Sequence, residues 1–414
     1  MTAEVCLMNR LAVVIAADSA LTVTQCTDKG AEQRYFKGSN KIFQLSDHQP
    51  VGLMIFNSSD ILRVPWEIVI KAFRTELAKK SFNTLAEYAV GFFSFLEKCP
   101  RLFPPEVQKS LFLESAQTAA WRVIAESEDI ATSNSMIKTR WTELDAMPLP
   151  QDIDPAHADK TIASWRDDLI RRFENWGEPF SSSFPSDLGA FAELGMLEVF
   201  KDPGRHLGST GLVFAGFGDH DIFPAFSEYI SCGIVAGKHV AIESEKAAIT
   251  HDMPARIVSF AQKEMSETFS MGLSHDVYMS VMNTIDDGLT EFAADVLWAA
   301  GVKTGDVPKL EEKVIAARDE IGRKILVEAG REHAMPLRRV LGVLPVDEMA
   351  NLAETLINLQ SLKEKVTKNS ETVGGPVDVA MITKNEGFLW IKRKHFFDIN
   401  LNSRFALRQQ SRLA

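Results

Sequence analysis

Two apolar runs open the chain, Thr2-Ala-Glu-Val-Cys-Leu-Met8 and Leu11-Ala-Val-Val-Ile-Ala-Ala17, on either side of Asn9-Arg10. Short runs rich in valine and isoleucine, parted by a turn-compatible dipeptide, predict a pair of β-strands. Asn40-Lys41-Ile42-Phe43-Gln44-Leu45 starts a third short strand, and Val51-Gly-Leu-Met-Ile-Phe-Asn-Ser-Ser-Asp60 runs on into helical spacing. From Ser59 to Lys80 that spacing is carried by Ile61, Val64, Ile68, Phe73 and Leu77, with Ser59 a candidate cap. A second helix over Asn83 to Lys98 places Leu85, Tyr88, Phe92, Phe93 and Leu96 on one side, where aromatic density reads as core.

Pro100, Pro104 and Pro105 then punctuate the chain. Glu106–Glu126, Lys160–Trp176 and Ser186–Phe200 are helical in pattern, while Met147–Pro155 and Ser181–Pro185 read as loops. His275–Ala300 and Val307–Arg331 are again helical, as is Pro345–Val366 with its stripe of Met349, Leu352, Ala353, Leu356 and Leu359.

Composition narrows the function classes. An apolar fraction of 45% over 414 residues gives ample core, and a formal charge of −11 argues against nucleic-acid binding, which needs a basic face. The four cysteines have neither metal-ligand nor disulfide-framework spacing, which suits a reducing compartment. Leu11 to Ala17 is too short for a signal-peptide core or a membrane span, so a cytoplasmic protein with no membrane association is expected.

The candidate chemistry lies in the opening stretch. Thr2 follows the initiator methionine, whose removal would expose a threonine with a free α-amine of pKa roughly 7.7–8, able to take the hydroxyl proton. Asp18 stands where the second apolar strand ends, a place where an ionised group facing a cation is tolerable. Lys41, at the start of the third strand, is the candidate cation.

Thr2 followed by Val13-Val-Ile-Ala-Ala-Asp18-Ser19 and by Asn40-Lys41-Ile42 resembles the opening of a proteasome β-type subunit and its bacterial relatives, which are N-terminal-nucleophile (Ntn) hydrolases. The resemblance implies Thr2 as nucleophile, Asp18 as its support and Lys41 as the group that tunes it. The lysine comes later than in the family, which requires an insertion within Thr24–Gly38. The implied fold is α+β, a four-layer αββα sandwich with helical insertions. Residues 1–99 would be the first part of the core and 100–209 a helical insertion. Core hairpins and a helix would fill 210–270, a second helical insertion 271–345, and a core helix, closing hairpin and tail 346–414.

The departures are equally specific. Phe56 stands where active members place an oxyanion-hole glycine. The supporting Asp-x-x-Ser-Gly-Gly reads Ser370-Glu-Thr-Val373-Gly374-Gly375, leaving Ser370, Thr372, Gly374 and Gly375 as candidate oxyanion or supporting residues. Gly374-Gly375 also simply permits a tight turn.

The implied function is threonine-type peptidase activity on peptide or protein substrates, without metal or cofactor. An inactive scaffold of the same fold and a small-molecule amidase are the alternatives. A homo-oligomer is expected, with an ATPase or other regulatory partner left open. Its physical hint is apolar helical surface in excess of one core, including Phe92, Phe93, Phe95 and Trp121.

Three other signals carry less. Asp219-His220-Asp221 reads as a solvated hairpin tip. Gly233-Ile-Val-Ala-Gly-Lys238-His239 is one residue short of a phosphate loop. Lys392-Arg393-Lys394-His395 suits a charged edge strand.

Overall fold

The computed structural model describes residues 2–27, 30–175, 185–302, 307–367, 373–395, 397–398, 401–405 and 407–408. In chain order the strands β1 (Ala3–Asn9), β2 (Ala12–Ala17), β3 (Ala20–Thr27), β4 (Gly30–Lys37), β5 (Ile42–Gln44) and β6 (Val51–Asn57) come first. Two-residue strands β7 (Asp60–Ile61) and β8 (Val64–Pro65) precede the helices α1 (Trp66–Leu77), α2 (Leu85–Lys98), α3 (Pro105–Ile124), α4 (Ile130–Ala146), α5 (Pro155–Glu174), α6 (Leu188–Lys201) and α7 (Pro203–Leu207). Then follow β9 (Thr210–Gly216), β10 (Ala225–Val235), β11 (Lys238–Ala248) and β12 (Ala255–Ala261). Helices α8 (Glu264–Met271), α9 (His275–Ala299), α10 (Leu310–Ala329), α11 (Met335–Leu341) and α12 (Val346–Thr367) lead to the closing hairpin, β13 (Asp378–Thr383) and β14 (Gly387–Lys392).

Two compact units interleave along the chain. One comprises Met1–Ile42, Ile222–Pro224 and Ala248–Gln409; the other comprises Phe43–Asp221, Ala225–Ala247 and Gln410–Ala414. The first is built on a five-stranded sheet of order β12-β1-β2-β13-β14, antiparallel throughout. One face of that sheet carries Ala3, Val5, Leu7, Val14, Ala16 and Val379, which pack against Met349, Ala353, Leu356 and Ile357 of α12. Strand alternation turns Glu4, Cys6 and Met8 to the other face, and these are buried as well.

The second unit holds the sheet β11-β10-β9-β6-β5. Its core has two clusters. Trp66, Phe73 and Phe92 of α1 and α2 pack with Leu53 and Phe214 from the sheet, and the Trp66 indole N–H donates to Thr210 Oγ1 at 3.0 Å. Phe112, Leu169, Phe191 and Phe200 from α3, α5 and α6 gather with Val235 and Val240.

The α+β class with antiparallel sheets is what the chain adopts; the four-layer αββα order goes further than these two units do. Helix α1 starts at Trp66 and not at Ser59, because Pro65 bars a helical conformation at the residue before it, and the intervening residues form the small β7-β8 ladder. Ser59 still serves the helix, its carbonyl accepting the Trp66 N–H at 3.0 Å.

The aromatic hint for self-association also needs correcting. Phe92 and Phe95 are buried, and Phe93 and Trp121 pack against the two cores. Exposed apolar side chains lie elsewhere, on α9, where Phe292 is 67% and Trp298 84% accessible.

The weaker signals resolve into structure. Asp221 accepts the Leu85 N–H at 3.1 Å and the Gly218 N–H at 2.8 Å, so its turn caps α2. Gly233–His239 belongs to the β10-β11 hairpin, whose turn residues Ala236 and Gly237 have φ of 50° and 86°. Strand β14 is an edge strand, with Lys392 paired to Glu354 and Lys394 to Asp378.

Candidate active site

A buried cluster forms at the end of the first sheet where β1 begins and β2 finishes. The β1-β2 reversal works without glycine because Asn9 supplies the turn: its Oδ1 accepts the N–H groups of Leu11 at 2.9 Å and Ala12 at 3.2 Å. Its Nδ2 donates to the carbonyls of Leu341 and Leu344, tying the hairpin to the segment after α11. The register pairs Glu4 with Ala17, which leaves Asp18 level with Ala3 at the other end of the hairpin. Asp18 N–H then donates to the Ala3 carbonyl at 3.1 Å, and Gln262 N–H to that of Thr2 at 3.1 Å, so Thr2 is held as an extension of the sheet.

Lys41 reaches the same place by a detour. Strands β3 and β4 pair antiparallel from Ala20↔Lys37 to Thr27↔Gly30, and Ser39 N–H donates to the Ser19 carbonyl at 3.1 Å. The ribbon thus returns the chain to the point it left. The ribbon is how a lysine so far along the sequence meets Asp18.

Four polar side chains meet there, all withdrawn from solvent: Thr2 is 7% accessible, Glu4 1%, Asp18 1% and Lys41 5%. The Lys41 ammonium donates to Asp18 Oδ1 and lies 3.5 Å from Glu4 Oε1. Thr2 Oγ1 donates to Glu4 Oε2 at 3.1 Å. Asp18 is held by three backbone donors besides the lysine: Ala3 N–H at 3.1 Å, Ala20 N–H at 3.1 Å and Gly374 N–H at 2.8 Å. The two carboxylates differ sharply, since Glu4 Oε1 is buried and makes no hydrogen bond.

Electrostatics follow the geometry. Burial pushes the Glu4 carboxyl up to about 7; Lys41 opposes the rise, the Asp18 charge adds to it, and the Thr2 hydrogen bond draws it back slightly. The cluster therefore places a hydroxyl against a carboxyl that changes charge near neutral pH, beside a lysine fixed by a second carboxylate.

Thr2, Asp18 and Lys41 lie in one cluster, with Lys41 paired to Asp18, but the hydrogen bond of Thr2 runs to Glu4, which sequence reasoning missed. An acid inside an apolar strand is a costly placement, and that was the available signal. Gly374 belongs to the cluster through its N–H, which is committed to Asp18, so it supports the aspartate. Gly374 and Gly375 have φ of 151° and 83°, and a Cβ on Gly375 would come within 3.0 Å of the Lys37 Cβ. Phe56 lies in the other unit, on β6, with its ring over Gly211. Ser370 and Thr372 lie outside the described residues. Among the described residues no group of three or more His, Cys, Asp or Glu is placed to hold a metal ion, and no helix is long and apolar enough to cross a membrane.

No family model matches the chain, and no curated protein matches it. Solved structures similar to it include a mutant of Anbu from Hyphomicrobium sp. strain MC1, with 9% identity and a TM-score of 0.31 over 99% of this chain and 96% of that one. Another is Anbu, described as an ancestral beta-subunit, from Yersinia bercovieri, with 9% identity and a TM-score of 0.29 over 99% and 95%. Similarity this low assigns no family. The resemblance to proteasome β-type subunits is corrected accordingly: no family model supports it, and the similar structures found are too distant to carry it.

Proposed function

We propose that the chain is a threonine-nucleophile acyl-transfer enzyme that hydrolyses amide bonds through Thr2. The observation that supports this is the buried contact of the Thr2 hydroxyl with Glu4, in a cluster whose cation, Lys41, is fixed by Asp18. A hydroxyl needs a proton acceptor within hydrogen-bond reach to attack a carbonyl at neutral pH, and a neighbouring ammonium stabilises the negative charge that develops. Removal of Met1 would free the Thr2 amine.

Intact mass spectrometry after expression tests the processing, and a reactive acylating probe such as an aryl ester tests the nucleophile. The expected result is loss of Met1 and one acyl adduct mapping to Thr2, absent in Thr2→Ala. Equal labelling of the Thr2→Ala variant, or turnover that survives it, refutes the reading. Substrate class and self-association belong to the same proposal. Peptide anilides compared with small acyl amides decide the first, and light scattering the second.

A further inference from the structure

We infer that Glu4 is the general base and proton carrier of this site, taking the Thr2 hydroxyl proton as Thr2 attacks. The inference rests on the nucleophile reading of Thr2 and adds the group that activates it. Three observations on position carry it: Thr2 Oγ1 already donates to Glu4 Oε2 at 3.1 Å, the other oxygen of Glu4 is buried without a hydrogen bond, and Lys41 stands 3.5 Å from it. Asp18 cannot share the task in the same way, because its oxygens accept from three backbone N–H groups and from Lys41. Asp18 is the positioning residue, and Glu4 is the carboxyl with capacity to spare.

With Met1 in place the charged groups acting on Glu4 are Lys41 and Asp18, and removal of Met1 adds the Thr2 α-amine; the register partners of Glu4, Ala17 on β2 and Phe260 on β12, are uncharged. Burial holds the Glu4 carboxyl near neutrality, the range in which a base is both available and strong enough to act. In the step itself a lone pair of Thr2 Oγ1 forms the bond to the substrate carbonyl carbon. The O–H proton moves to Glu4 Oε2, and the carbonyl π electrons move onto its oxygen. Collapse expels the amine nitrogen, which takes the proton from Glu4. Water then attacks the threonyl ester, giving its proton to Glu4, which returns it to Oγ1 as the acid leaves. The sum is amide plus water to acid plus amine.

The test uses the full chain with Glu4→Gln, which keeps an acceptor for the Thr2 hydroxyl and removes the proton site, beside Thr2→Ala. Acylation and turnover are followed from pH 5 to 9, and carboxyl titration is read by infrared difference spectroscopy. Expected are a rate that rises through about pH 7 in the native chain and a drop of about 100-fold or more in kcat for Glu4→Gln, with KM little changed. A carboxyl band titrating near pH 7 should be present in the native chain and absent from the variant. Full kcat in Glu4→Gln while Thr2→Ala is inactive overturns this inference alone, as does a Glu4 carboxyl already ionised at pH 5. Thr2→Ala as active as the native chain, or a native chain inert at every pH, overturns the nucleophile reading and this one with it.

Discussion

Glu4→Gln should change how stability depends on pH, whatever the chain acts on. In the folded chain the carboxyl is held at about 7 against an ordinary 4.5, with burial the main cause. Between those two values the folded state keeps a proton that the unfolded chain has released. Stability therefore falls as pH rises through the window and levels off above about 7. At about 1.4 kcal/mol per pH unit, the full loss is roughly 3 kcal/mol. Glutamine has nearly the same shape and no proton to lose, so the variant should escape the decline.

The assay is urea unfolding of both proteins at half-unit steps from pH 4.5 to 8.5, read by far-ultraviolet circular dichroism. The quantity of interest is the difference between variant and native chain at each pH. Other groups cancel in that difference, including buried His239, whose ring is pushed down to about 3 and whose contribution runs the other way, being lost as pH falls below about 6.5. The difference should shift by roughly 3 kcal/mol in favour of Glu4→Gln between its acid-side value and pH 8. Parallel curves for the two proteins would show that Glu4 is ionised in the fold throughout, and would refute its role as the protonated member of the cluster.

Two further substitutions probe the same cluster. Lys41→Met removes the cation from Glu4 and Asp18 while filling the space, and should cost roughly 3 kcal/mol or more at pH 7, measured as a lower urea midpoint with unchanged slope. Gly375→Ala forces a side chain onto a φ of 83° and against the Lys37 Cβ, so a loss of about 1–2 kcal/mol is expected, together with weaker acylation of Thr2; an unaltered midpoint counts against the tight turn.

Much of this cluster is legible in the sequence, and what is missing has identifiable causes. Valine and isoleucine runs announce β1 and β2, and a carboxylate at the mouth of β2 is an ionised group where an interior placement would be costly. The sequence does not reveal that the residues between Asp18 and Lys41 form a ribbon whose ends meet. That depends on the pairing of Ala20 with Lys37, a contact across the whole segment. Glu4 escaped because one acid in an apolar strand carries no sign of its partners until β1, β2 and the lysine segment are assembled. Helix α4 was missed for a different reason. Its buried positions are Ser133, Ile137 and Leu144, too sparse an apolar stripe to register, although Asp129 caps it by accepting the Thr132 N–H.

The charge count of the cluster says most about why it exists. With both carboxylates ionised, Glu4, Asp18 and Lys41 would carry one net negative charge in a space that water hardly reaches. A fold selected only for stability would do better with apolar side chains there, as buried ion pairs seldom repay their desolvation. The backbone instead invests three N–H groups in Asp18, one of them from a glycine turn far along the chain, and leaves an oxygen of Glu4 without any. The arrangement sets one carboxyl, pushed up to about 7 by burial, against the Thr2 hydroxyl, while the other is committed to backbone N–H groups and Lys41. A carboxyl in that range, within hydrogen-bond reach of a hydroxyl, is what the base proposed for Thr2 requires.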